Sequence, residues 1–206
     1  GGLGCVKGPV LMVINPLGLD APPGLAEHLA AQRAAKPTGG LRLSYLGSLS
    51  PQKGLHVLIE AINGLPNAVS LDIYGDPTIF PDYVAETRAM VRHPGVRFNG
   101  VLARARLWNV LGDLDALVMP TLWYEASPAT IREAFAAGLP VIASDLGAPG
   151  SMVRHSVDGL LFPPGDAAAL REILREIIEQ PDRLAELKAH ISPVRTEACL
   201  FYTSPS

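Results

Sequence analysis

Two glutamates, Glu125 and Glu133, lie eight positions apart on either side of a predicted helix start. Ser127 is a favourable N-cap, Pro128 suits the first helical position, and Gly138 suits the left-handed residue that ends a helix. The pattern therefore predicts a helix over residues 128–137, with Glu125 in the preceding loop and Glu133 at a solvent-facing position of the helix. A carboxylate such as that of Glu133 can accept hydrogen bonds from two neighbouring hydroxyl groups at once.

The same part of the sequence predicts a site for an anion. The first free backbone N–H groups of the helix, near Ala129 and Thr130, carry the positive end of the helix dipole. Lys53 begins another predicted helix shortly after Gly47, and an ammonium group there can neutralise a phosphate. On spacing alone, a solvated surface lysine is the more common alternative, and Glu125 is an ordinary loop acid.

Apolar runs of strand length alternate with amphipathic runs of helix length. The predicted strands are Val10–Ile14, Leu41–Leu46, Val69–Tyr74, Val96–Phe98, Ala116–Met119, Val141–Ala143 and Gly159–Phe162. The predicted helices are Gly54–Ile62, Asp82–Val91, Arg104–Leu111, Pro128–Ala137, Ala167–Glu179 and Asp182–His190. Near-continuous apolar strands are typical of parallel sheets that are buried on both faces. The alternation predicts an α/β fold with a Rossmann-like, doubly wound parallel sheet.

In such a sheet, ligands bind beyond the carboxyl ends of the strands. The candidate segments follow four of the predicted strands, and they are Gly47–Gly54, Gly75–Asp76, Thr121–Ser127 and Ser144–Gly150. Their convergence on one edge predicts a single cleft.

The pattern divides the chain into three parts. Residues 1–40 are predicted to hold an N-terminal strand and an irregular connection, residues 41–190 the ligand-binding domain, and residues 191–206 a loose tail. The chain does not start with methionine, so we expect it to be a segment of a longer protein.

Composition excludes several classes of protein. With 206 residues, 48% of them hydrophobic and 18% charged, the chain can form one large core and is not expected to be disordered. A net charge of −3 argues against a nucleic-acid partner. No apolar run approaches the ~20 residues that cross a bilayer, and the start does not resemble a signal peptide. Cys5 and Cys199 fit neither a disulfide framework nor a metal site, which indicates free thiols and a cytoplasmic location.

The ordered series of motifs resembles the group 1 (family 4) retaining glycosyltransferases, which use nucleotide-sugar donors. The two glutamates match that family's glutamate-x7-glutamate motif. Further segments match its nucleotide-binding domain, and they are Leu46–Gly54, Ile73–Asp76, Val96–Gly100 and Val157–Phe162. The resemblance covers about residues 40–180 and implies the C-terminal, donor-binding lobe of a two-domain enzyme of the GT-B type.

The resemblance also implies roles for single residues. Glu125 would face the anomeric centre of the donor sugar as the catalytic residue, and Glu133 would hold the ribose. Gly47 and Lys53 would bind the donor diphosphate together with an arginine directly after the glycine. This chain has Ser48 there, which offers a hydrogen bond but no charge. Either the diphosphate is bound more weakly, or another cation compensates.

Backbone groups and apolar side chains complete the implied donor site. Amides around Ser127, Ala129 and Thr130 would bind sugar hydroxyls or phosphate. Val101 and Leu102 would form the floor beneath the base, although simple packing explains these two residues equally well.

The implied partners are the nucleotide-sugar donor and an N-terminal acceptor domain outside this chain, which could also contact a membrane surface. The five histidines show no metal spacing, so neither a metal nor a cofactor is expected. Two alternatives stay open, namely a nucleotide-sugar epimerase lobe of the same architecture and a non-catalytic nucleotide-binding module. A dinucleotide-binding module is disfavoured because residues 47–54 lack the Gly-x-Gly-x-x-Gly pattern.

Overall fold

The computed structural model of the chain describes residues 19, 21–22, 24–35 and 39–192. The strands are β1 Leu41–Leu46, β2 Val69–Tyr74, β3 Val96–Phe98, β4 Ala116–Met119, β5 Val141–Ser144 and β6 Gly159–Phe162. The α-helices are α1 Leu25–Ala34, α2 Leu55–Ile62, α3 Pro81–Met90, α4 Leu107–Gly112, α5 Ala129–Ala136, α6 Gly147–Met152, α7 Ala167–Glu179 and α8 Asp182–Ala189. Short 3-10 turns, Pro51–Lys53 and Arg104–Arg106, precede α2 and α4.

The six strands form one parallel sheet in the order β3-β2-β1-β4-β5-β6. The chain builds outward from β1 to β3 and then crosses back to β4 on the other side of β1. The sheet is therefore doubly wound, as predicted, and its strand order reverses between β1 and β4. Loops that leave these two strands at their carboxyl ends diverge and open a crevice there.

Helices cover both faces of the sheet, which explains the apolar character of its strands. Leu117 and Val118 are neighbours in β4 and each is 1% exposed, yet they belong to different core clusters. One cluster joins the sheet to α2, α7 and α8, and the other joins it to α1, α4 and α5. Successive side chains of a strand point to opposite faces, so a strand covered on both faces needs an unbroken apolar run.

Most predicted elements are present within one or two residues of their predicted bounds. Two helices were not predicted. The prediction of an irregular connection before residue 40 was wrong for α1, which buries Leu25 and Leu29 against the second core cluster. Its other residues are mainly alanine and polar, so helix propensity carried a signal that hydrophobic periodicity did not. The short helix α6 contains Gly147 and Pro149, which disfavour helices in general. The predicted strand Val10–Ile14 and most of the predicted tail lie outside the described residues.

Candidate functional site

A basic and an acidic side chain meet across the crevice between β1 and β4. Lys53, at the end of the 3-10 turn that follows β1, donates a hydrogen bond to Oε1 of Glu125 in the loop that follows β4. The two side chains are 31% and 16% exposed, so both remain accessible from the crevice. The pair thus lies at the point where ligands bind in doubly wound sheets.

Close backbone packing fixes the positions of these two loops. The N–H of Leu122 donates to the carbonyl of Gln52 at 2.8 Å. Gly54 has φ +69°, and a Cβ there would lie 1.9 Å from the carbonyl oxygen of Pro120. Only glycine fits such a left-handed residue in contact with a neighbouring backbone. Thr121 adds a side-chain contact, with its Oγ1 3.4 Å from Oε1 of Glu125.

The glycine-rich loop after β1 is also tied to the loops after β2 and β3. The N–H of Gly47 donates to the carbonyl of Tyr74 at 3.1 Å, and that of Gly75 to Gly100 at 2.9 Å. The hydroxyl of Tyr45 donates to the carbonyl of Ser48 at 2.6 Å. Burial raises the pKa of the Tyr45 hydroxyl, so this donor stays protonated.

A cavity of about 260 Å³ lies beneath these loops. Predicted site residues that line it are Gly47, Lys53, Glu125, Ser127, Ala129 and Thr130. Other lining side chains include Tyr45 and Thr121, which the sequence analysis did not select. Their only sequence signal is position, since one lies in β1 and the other shortly after the carboxyl end of β4. The structure therefore brings together residues from the two sides of the strand-order reversal.

The start of α5 differs by one residue from the prediction. The helix begins at Ala129, and Pro128 occupies the N-cap position without a side-chain cap. Ser127 is therefore not the N-cap. Pro128 has an extended ψ of 112°, and its missing N–H is not needed at a cap. The predicted end of the helix is confirmed, because Gly138 has φ +64°.

Glu133 is not at a solvent-facing position, so that prediction was wrong. The residue is only 6% exposed, and Oε1 of its carboxylate accepts a hydrogen bond from Nη1 of Arg104. Arg104 belongs to the 3-10 turn after β3, is 59% exposed at its side chain, and stands 5.8 Å from the ring centroid of Trp108. The sequence pattern of the helix could not show that a residue of another loop, Arg104, pairs with Glu133. Arg104 itself was missed, although a basic residue just after a strand's carboxyl end is a weak signal.

Four predicted site residues do not line the cavity, namely Ser48, Val101, Leu102 and Glu133. Val101 is 69% exposed, whereas Leu102 is half-buried and packs against the second core cluster. Their roles towards a nucleotide base stay predictions. Glu133 shares a helix face with Ala129, four residues earlier, and side chains on a helix lean towards its amino end. Its side chain therefore points towards the first turn of α5, where Ala129 and Thr130 line the cavity.

Two further cavities have different surroundings. One of about 360 Å³ adjoins Lys53 and Glu125 and is walled by Trp123 and Tyr124, which are 63% and 73% exposed. The other, of about 850 Å³, lies at the amino ends of the strands, between α1 and α8, and Asp115 is one of its polar lining residues. It is the largest of the three, but it lies at the sheet edge opposite to Lys53, Glu125 and the glycine-rich loop.

The sequence of this domain matches one known family over most of its length. A profile of the family described as Glycosyl transferases group 1 matches residues 40–180. The chain belongs to the group 1 glycosyltransferases. This confirms the family resemblance and places the ion-paired crevice in the region that defines the family.

Two relatives of this group 1 glycosyltransferase chain illustrate the similarity. It is 31% identical over 173 residues to a glycogen synthase of Mycobacterium tuberculosis, a match covering 77% of this chain and 42% of that protein. It is 33% identical over 149 residues to a phosphatidyl-myo-inositol mannosyltransferase of Mycobacterium leprae, covering 70% and 39%. The chain thus spans less than half the length of these relatives.

Solved structures show the same fold. Anabaena Alr3699/HepE in complex with UDP and glucose superposes with a TM-score of 0.69 and 27% identity, over 83% of this chain and 47% of that one. Sucrose-phosphate synthase from Thermosynechococcus elongatus superposes with a TM-score of 0.70 and 26% identity, over 84% and 46%. The predicted fold class, a Rossmann-like lobe of the GT-B type, is confirmed.

The described residues contain neither a helix suited to a membrane span nor a cluster suited to a metal ion. None of their helices has the length and apolar character needed to cross a membrane. The same residues contain no group of three or more His, Cys, Asp or Glu side chains arranged to hold a metal ion.

Proposed function

We propose that this chain is the C-terminal, donor-binding lobe of a retaining glycosyltransferase that takes its sugar from a nucleoside diphosphate. The observation that carries the proposal is the ion pair between Lys53 and Glu125 across the strand-order reversal. A cation for phosphate and a carboxylate for sugar hydroxyls face one cavity there, beside the amino end of α5. Family membership and a UDP-bound structural neighbour support the choice of ligand.

Each residue of the site has a role in this proposal. Lys53 and the first N–H groups of α5, at Ala129 and Thr130, stabilise the negative charge that develops on the leaving diphosphate. Glu133 accepts the ribose hydroxyls. Glu125 orients the donor sugar at the face where the new bond forms. Retention of the anomeric configuration is proposed from the family motif that contains both glutamates.

The acceptor is proposed to bind on a second, N-terminal lobe. Large hydrophobic side chains that are exposed on the described surface lie in the loops after β2, β3 and β4, and they are Ile79, Phe80, Val101, Leu122, Trp123 and Tyr124. These loops lie at the same edge of the sheet as the crevice, and exposed apolar groups of this kind mark surfaces that another body covers. Closure of a second lobe over this rim would exclude water from the donor and position the acceptor hydroxyl.

Calorimetric titration with UDP, GDP, ADP and their glucose or mannose derivatives tests the donor-binding role. We expect one nucleotide series to bind, and the same series to bind more weakly to a Lys53→Met variant. Failure of every series to bind would overturn the proposal. Conversion of a bound nucleotide sugar into its epimer would instead support an epimerase.

A further inference from the structure

Both carboxylates that are proposed to accept hydrogen bonds from donor hydroxyls are already paired with a basic side chain. Lys53 donates to Oε1 of Glu125, and Arg104 donates to Oε1 of Glu133. The two glutamates, eight positions apart, are thus in similar environments. Each carboxylate has a basic partner from a different loop. A ligand hydroxyl that approaches Oε1 of Glu133 must therefore compete with a guanidinium group.

The energetics of that competition depend on what the ligand offers to the displaced cation. The side chain of Glu133 is 9% exposed, so removing its cation would leave a nearly buried charge without a partner. A bare nucleoside offers two hydroxyls and nothing for Arg104. A nucleoside diphosphate offers hydroxyls for Glu133 and phosphate oxygens for Arg104. Guanidinium groups bind phosphate through two parallel hydrogen bonds.

Arg104 is placed to make this exchange. Its side chain is 59% exposed, so it can turn without disturbing the core. Its partner Glu133 lies four residues after Ala129 in α5, and Ala129 and Thr130 line the cavity together with Lys53. Arg104 thus contacts the residue that is proposed to bind the ribose, on the same helix whose first turn lines the proposed diphosphate cavity.

We propose that Arg104 is the second cation of the diphosphate site. In the free chain it neutralises Glu133, and on donor binding it moves onto the diphosphate and releases Glu133 to the ribose. Ser48 supplies no charge to the glycine-rich loop, and Arg104 supplies it from the loop after β3 instead. This inference rests on the proposed donor-binding function and adds to it a selection for diphosphates over nucleosides.

The test compares matched ligands on matched variants of the 206-residue chain. UDP, GDP, ADP and their nucleosides are titrated by calorimetry against the wild type, Arg104→Met and Arg106→Met. Methionine keeps the apolar stem and removes the charge. Arg106 is an exposed arginine of the same 3-10 turn, so it controls for net charge. We expect Arg104→Met to weaken diphosphate binding about tenfold without weakening nucleoside binding. Arg106→Met should change the affinity for the diphosphate and the affinity for the nucleoside by less than about threefold.

Rescue provides a second measurement. Ser48→Arg, combined with Arg104→Met, should restore most of the diphosphate affinity, because a new guanidinium then stands in the glycine-rich loop. A purely structural role of Arg104 would not be rescued from there.

The outcomes separate this inference from the function on which it rests. If the wild type binds no diphosphate, the donor-binding function itself is wrong and the inference fails with it. If the wild type binds a diphosphate and Arg104→Met binds it equally well, only the inference is overturned. An equal loss of nucleoside and diphosphate affinity in Arg104→Met would show a structural role and would also overturn it.

Discussion

Lys53 and Glu125 are 72 positions apart in the chain, yet they form an ion pair across the point where the strand order of the sheet reverses. The contact depends on two loops that are held together by the hydrogen bond from Leu122 to Gln52. A phosphate that enters the crevice meets an ammonium group that is already paired with a carboxylate, so the phosphate and Glu125 share or compete for its three N–H donors. Binding of this kind is sensitive to charge and to salt.

Lys53→Met is expected to weaken binding of a nucleoside diphosphate by about 1.5–3 kcal/mol, the usual contribution of a hydrogen bond to a charged group. Binding of the bare nucleoside should stay the same. The loss should shrink at high salt, because the site opens to solvent. Lys188→Met is the matched control, since it removes the same charge beside the cavity at the amino ends of the strands. Calorimetry at two salt concentrations measures the affinities of the wild type and of both variants. Equal affinities in the three proteins would show that the phosphate site does not include Lys53.

Glu133→Gln is expected to reduce the discrimination between a ribonucleotide and its 2′-deoxy analogue. The carboxylate accepts the ribose hydroxyls more strongly than an amide does, a difference of about 1–3 kcal/mol. The readout is the ratio of the affinities for UDP and 2′-deoxy-UDP, or for the GDP or ADP pair if that series binds. This ratio cancels any change in the attraction of Arg104 for phosphate. Glu125→Gln is the control and should preserve the ratio. A ratio unaltered by Glu133→Gln would remove Glu133 from the ribose site.

Gly54→Ala is expected to destabilise the fold by roughly 3 kcal/mol, through left-handed strain and overlap with a neighbouring backbone. Gly100→Ala is a matched control, because Gly100 has φ +71° but nothing within 4 Å of the added Cβ. It should lose only about 1 kcal/mol. Urea unfolding followed by circular dichroism measures the two values. Similar losses would mean that contact with Pro120 contributes nothing to holding the loops together.

Removing the charge of Asp115 and removing the charge of Lys188 are expected to affect the stability of the fold differently. Asp115 accepts two hydrogen bonds from the guanidinium of Arg42, each 2.9 Å long, and lies 4.0 Å from Nζ of Lys188. Asp115→Asn should therefore lower the free energy of unfolding by about 2 kcal/mol. Burial lowers the pKa of the Lys188 ammonium from its ordinary value of 10.5, so the charged form is unfavourable in the folded chain.

The pH dependence follows from the sign of that pKa change. Between the lowered pKa of Lys188 and 10.5 the unfolded chain holds more protons, so the free energy of unfolding rises with pH in this alkaline window. Lys188→Met should remove that rise and should not destabilise the fold at neutral pH. Melting temperatures of the wild type and the variant across the window test this. A clearly lower melting temperature of Lys188→Met at neutral pH would contradict it.

Transfer activity is expected to be absent from the chain by itself. The match to a related glycogen synthase covers only 42% of that protein. A reacting acceptor hydroxyl needs a second lobe to position it. The assay supplies the nucleotide sugar that binds best with simple sugar acceptors and follows the product by mass spectrometry. Transfer at a rate typical of an intact enzyme would show that an acceptor site exists within these residues.

The sequence by itself determined most of the elements, the fold class and the family. Strand bounds could be predicted because a strand buried on both faces is an unbroken apolar run, as at Leu117 and Val118. The end of α5 could be predicted because only glycine suits the left-handed conformation of Gly138. Such signals are local, so residue type and spacing are sufficient to show them.

Only the tertiary structure decided which charges meet. Glu133 was predicted to face solvent, but it is nearly buried and pairs with Arg104, which lies 29 positions away in another loop. Glu125 was predicted to be a site residue, but its pairing with Lys53 depends on β1 and β4 being neighbours in the sheet. A side chain's ionic partner is chosen by distance in space, and periodicity along the chain carries no information about which loops the fold brings together.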